Sequence, residues 1–105
     1  MKASKQKRLQ AAGWKSGSAA EFLGLSDTEA ALVELKLALV AAVRRTRRKR
    51  GMSQIDLAQR MHSSQSRVAK IEAGDASVSL DLIVRALITA GASRKEVEQA
   101  FVAIG

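Results

Sequence analysis

The sequence predicts an all-α domain of five helices, with one further helix and a basic arm ahead of them. Three observations predict it. The 105 residues contain no Pro and no Tyr, and helix-favouring Ala, Leu, Arg, Lys, Glu and Gln dominate. No window alternates in strand fashion for long. Ser residues with an acid three positions on stand ahead of apolar runs at Ser26, Ser53 and Ser93, which marks helix starts. The length suits one domain with a modest core.

Residues 1–17 are polar, basic and broken by Gly13 and Gly17, and read as a flexible arm. Trp14 reads as a local hydrophobic anchor for it. Residues 18–25 read as a short helix capped by Ser18, with Phe22, Leu23 and Leu25 docking it onto the next. The main helix is expected from Ser26 to about Lys49, stopping at Gly51. Between Ala30 and Val43 only Glu34 and Lys36 are charged. Leu32, Leu35, Leu39 and Val43 share one face, while Val33, Leu37 and Val40 lie on others. A helix apolar on several sides needs cover on several sides. Two covers remain open: the 18–25 helix, or an oligomer or partner interface through Phe22, Leu23, Val33, Leu37, Phe101 and Ile104.

Ser53 caps the next helix, which should begin at Gln54 with Ile55, Leu57, Ala58 and Met61 as its apolar side. His62, Ser63 and Ser64 interrupt the pattern. Ser64 then caps a helix whose Val68, Ala69 and Ile71 face inward and which Gly74 ends. Two helices so closely joined must cross steeply, which is a helix-turn-helix over residues 53–74. Gln65, Ser66, Arg67 and Lys70 face outward and are the candidate base-reading residues. Ser79 caps a helix over about 80–90 with Leu82, Ile83, Ala86, Leu87 and Ile88 apolar. Ser93 opens a last one to about Ala103, with Val97, Ala100, Phe101 and Ile104 as its stripe.

The charge supports a polyanionic partner. The formal net charge is +8, and Arg44, Arg45, Arg47, Arg48, Lys49 and Arg50 fill six of seven positions before the helix-turn-helix. Cations there also complement the helix dipole, but so many exceed that need. Candidate phosphate contacts are Gln54, Arg47, Arg48, Arg50, Ser64, Ser77 and Ser79. No Cys is present, so there is no disulfide framework or thiolate metal site. No cofactor is expected. The lone histidine, His62, falls in the turn, and no glycine-rich phosphate loop, metal-ligand spacing or nucleophile elbow appears, which argues against an enzyme. The basic N-terminus lacks an apolar stretch after it, so it does not read as a signal peptide, and a cytoplasmic location is expected.

Gln54, Ala58, Ser64-Gln65, Val68, Ile71 and Glu72-x-Gly74 resemble the Xre/Cro family of phage-repressor-like (lambda repressor-like) domains. The resemblance implies a double-stranded DNA-binding homodimer, probing an inverted repeat with residues 64–73 in the major groove. It also implies that Gln54 braces Gln65 and that the loop before Ser79 lies on the DNA backbone. His62 departs from the family, which usually has Gly there for a positive φ. Trp14-Lys15-x-Gly17, residues 21–26, Glu29-Ala30-Ala31-Leu32 and residues 77–82 are similar to a subgroup that includes HigA-like antitoxins. That implies a RelE-like toxin as a further partner.

Overall fold

The computed structural model describes residues 26–102. Within them lie five helices: α1 (Asp27–Lys49), α2 (Gln54–Arg60), α3 (Gln65–Glu72), α4 (Leu80–Thr89) and α5 (Arg94–Val102). The expected 18–25 helix, Phe22, Leu23, Trp14 and Ile104 lie outside the described residues. There is no strand among the described residues, and the fold is the five-helix, all-α arrangement the sequence predicts.

Serine chemistry starts the helices. The hydroxyls of Ser26, Ser53, Ser64, Ser79 and Ser93 accept the backbone N–H three residues on. At Ser53 and Ser93 the acid at that third position also accepts the serine's own N–H, which completes a capping box. At Ser26 the hydroxyl itself meets the Glu29 carboxylate at 3.1 Å. α1 stops at Gly51 and α3 at Gly74, whose φ values of 69° and 70° let the backbone reverse.

The core sits where α4 and α5 pack against α1 and where α2 and α3 cross. Leu39 and Val43 of α1, Leu57 of α2, Val68 and Ile71 of α3, and Ile83 and Leu87 of α4 are essentially inaccessible to solvent. Burial along α1 concentrates from Leu39 onward. Leu32 shares the Leu39 face yet stays exposed, because the packed helices cover mainly the C-terminal half of α1.

Two apolar residues expected inside point outward. Ile55 lies roughly 110° around α2 from the mean direction of Leu57, Ala58 and Met61 at 100° per residue, and is 57% exposed. Ile88 lies roughly 140° from the inward direction of α4 and is equally exposed. Each short helix buries one stripe only. Phe101 is also exposed, although Ala100 beside it is buried.

His62 has φ 53°, the positive value the departure from Gly suggested, and is the only non-glycine with positive φ among the described residues. Left-handed backbone costs an L-residue about 1–2 kcal/mol, offset in part by the greater unfolded-state freedom of Gly. His62→Gly should therefore raise stability by about 0.5 kcal/mol, while His62→Val should lower it by about 1–2 kcal/mol. Urea denaturation of the two variants measures both; a stable Val variant would contradict the strain.

Candidate nucleic-acid interface

The candidate surface is built on α3. Val68 and Ile71 hold its inner side in the core, so Gln65, Ser66, Arg67 and Lys70 are turned to solvent. An open groove of about 350 Å³ brings Ser64, Ser66, Arg67 and Lys70 of this helix together with Ser77 and Val78 of the following loop. Ser77 is fixed by Asp75, whose carboxylate accepts both its N–H and its hydroxyl, at 2.8 and 2.6 Å. Those two bonds hold the Asp75 carboxyl below its ordinary range. The loop's shape is thus set by a side chain at its first residue. Ser79 is exposed at the N-terminus of α4, where free backbone amides favour anions.

Gln65 is held in place. Its Nε2 donates to Gln54 Oε1 at 2.8 Å, and Gln54 Nε2 donates to Glu72 Oε1 at 3.2 Å. The brace from Gln54 is therefore present in the folded chain. Glu72 in turn is only 4% exposed and accepts a two-pronged bond from Arg47, at 2.6 and 2.9 Å. Arg47 also donates to the Met52 carbonyl at 2.8 Å. Arg44 donates to the Glu72 carbonyl at 2.6 Å and so satisfies the C-terminal end of α3.

Burial alone would raise the Glu72 carboxyl. The hydrogen bonds from Arg47 and Gln54 and the charges of Arg47 and Arg44 outweigh it and hold the group below its ordinary value of 4.5. The bond to Glu72 likewise raises Arg47.

Two arginines of the phosphate set have acidic partners within the chain. Arg47 is turned inward, 11% exposed, and is committed to Glu72. Arg50 is drawn to the start of α5, with Nη2 3.6 Å from Glu96, and its guanidinium lies over Gly91. Arg48 and Arg45 remain exposed, and Arg44 is half exposed beside the end of α3. The sequence reading missed Glu72 and Arg44 as positioning residues. The available signal was the spacing of Arg44 and Arg47, one turn apart, against a lone acid on α3.

Of the candidate interface residues, Val33, Leu37 and Phe101 are exposed at 37%, 55% and 40%. Leu37 lies against Gly74, where a β-carbon would approach it to 3.2 Å. No helix among the described residues is long and apolar enough to cross a membrane.

Residues 43–93 match the model of the family described as Helix-turn-helix, HTH_3. No curated protein and no solved structure matches the chain. The match runs from the last two turns of α1 to the end of the loop after α4, and so takes in every residue of the α3 groove and its braces. Over residues 43–93, just under half of the chain, the sequence is thus similar to the helix-turn-helix family, and the matched stretch holds the α2–α3 pair.

Proposed function

We propose that the protein is a cytoplasmic, sequence-specific repressor that binds an inverted-repeat operator as a homodimer, with no enzymatic activity. The observation that carries this reading is the α3 groove, where Ser64, Ser66, Arg67, Lys70 and Ser77 converge beside a Gln65 already fixed by Gln54. In a dimer, two such helices enter successive major grooves about one helical turn apart. Gln65 offers a bidentate partner for adenine, Arg67 and Lys70 suit guanine or phosphate, and Ser66 serves either. Ser64, Ser77, Ser79 and Arg48 contact phosphates, with Gln54 touching one as it braces Gln65.

Selection from a random duplex library gives the operator, and gel shifts then test the roles. Gln65→Ala should lose about 1–3 kcal/mol of discrimination at one base pair per half-site. Equal relaxation at all positions, or none, would remove Gln65 from the reading set. Arg45→Ala with Arg48→Ala should weaken binding to every sequence and flatten the salt dependence by about one unit of slope for each phosphate no longer neutralised. An unchanged slope would take both residues off the backbone. A selected site without two-fold symmetry would count against the dimer.

A second reading has its own support. Leu32, Val33 and Leu37 are exposed on the part of α1 that precedes the matched residues. An exposed apolar stripe beyond the DNA-binding unit suits an antitoxin of a type II pair that covers a RelE-like toxin and regulates its own operon. Co-expression with the product of the adjacent gene tests it: retention of a ribonuclease, lost in Leu37→Asp, is the expected result, and no retained protein would end this reading.

A further inference from the structure

We infer that a second groove, between the α2–α3 turn and the C-terminal half of α4, docks an acidic peptide segment of a partner protein that carries a bulky apolar side chain. The groove is open, about 420 Å³, and lined by Arg60, Arg67 and Arg85 with His62. Its apolar lining includes Met61 and Ile88. No acidic side chain lines it. The nearest acid that holds one of these arginines is Asp81, 3.0 Å from Arg85, in an exposed pair one turn apart. Such a pair is worth under about 1 kcal/mol and yields readily to a better-placed carboxylate.

The charges call for an anion, and the apolar part decides which. Ile88 is 57% exposed beside three arginines, with partly buried Leu82 of the same helix also lining the groove. A phosphate backbone offers that side chain nothing to pack against, whereas an acidic segment with a leucine or phenylalanine satisfies both features. The groove shares Arg67 and Leu82 with the α3 groove, whereas Arg60, Met61, His62, Arg85 and Ile88 line it without lining that one, so variants at these positions separate the two surfaces. A second copy of this chain is a poor occupant, because it brings the same charge of +8.

The probe is a fluorescein-labelled peptide in which aspartates flank two leucines and a phenylalanine, titrated with the full chain. Two controls carry Ser for the apolar residues or Asn for the aspartates. Anisotropy should show binding of the probe and at least about fivefold weaker binding of each control. Ile88→Ser and Arg60→Ala with Arg85→Ala should each weaken the probe by a similar factor while leaving operator affinity within about twofold. All three positions are exposed, so the variants should fold, and amide spectra check this while locating probe-induced shifts at residues 61–63 and 85–89.

Three results would overturn the inference. The Ser control binding as well as the probe would mean a general polyanion patch. Loss of operator affinity in the Ile88 and Arg85 variants would assign the groove to DNA. A concentration-dependent dimer abolished by Ile88→Ser would assign it to a second copy. Because the operator measurement is separate, failure of DNA reading by α3 would not mimic any of these.

Discussion

Replacing Glu72 with alanine is expected to lower the unfolding free energy by about 3–5 kcal/mol, the cost of removing one member of a buried ion pair. Arg47 would be left with a single partner, the Met52 carbonyl, in a site where only 11% of its side chain meets water. Gln54 would lose the carboxylate that accepts from its amide. A urea transition with unchanged slope and a lowered midpoint is the expected signature. The double variant Arg47→Met with Glu72→Leu should lose less than Glu72→Ala alone, because no buried charge is then stranded. A Glu72→Ala loss below about 1 kcal/mol would show that the pair does not clamp α3.

The same pair fixes a pH dependence. Glu72 is held below its ordinary value in the folded chain, so its contribution is complete at neutral pH. It declines as the pH falls below the ordinary carboxylate value of 4.5 and is gone once the pH has passed through the lowered folded value. The acid limb of a stability curve should therefore shrink in Glu72→Gln relative to the parent. An identical acid limb in the two proteins would contradict the assignment.

Ile71→Ala is expected to cost about 2–5 kcal/mol, and Ile71→Val only about 0.5–1.5 kcal/mol. Ile71 is wholly buried, and α3 is eight residues long. Val68 and Ile71 in the core and the bonds from Arg44 and Arg47 to Glu72 attach it to the body. Stability for a domain of this kind is about 5–15 kcal/mol, so the alanine variant forfeits a large share of it. Denaturant midpoints of the two variants give the graded comparison. Equal, small losses would mean that the neighbours collapse into the space, and that α3 is held mainly by its polar contacts.

Much of this fold could be read from residues close together in the chain. The serine caps, the stops at Gly51 and Gly74, and the strained turn at His62 each depend on a few neighbours, and each appears where local chemistry requires it. The groove on α3 was legible for the same reason, since helical spacing alone turns Gln65, Ser66, Arg67 and Lys70 away from Val68 and Ile71. The basic run resisted reading. Six cations in seven positions look alike in one dimension, and only packing of α1 on α3 and α5 sends Arg44 and Arg47 to Glu72 and Arg50 to Glu96. Ile55 and Ile88 face outward because an apolar residue on a two- or three-turn helix is buried only where a neighbour covers its side.

The chain of contacts from Arg47 through Glu72 and Gln54 to Gln65 also bears on the calorimetry of binding. A free glutamine loses up to about 2 kcal/mol of rotamer entropy when it is immobilised. Here Gln65 is restrained before any duplex arrives, at 2.8 Å from Gln54. Heat measurements should thus find a smaller entropic deficit on operator binding in the parent protein than in Gln54→Ala, where the same side chain must be ordered at the moment of contact.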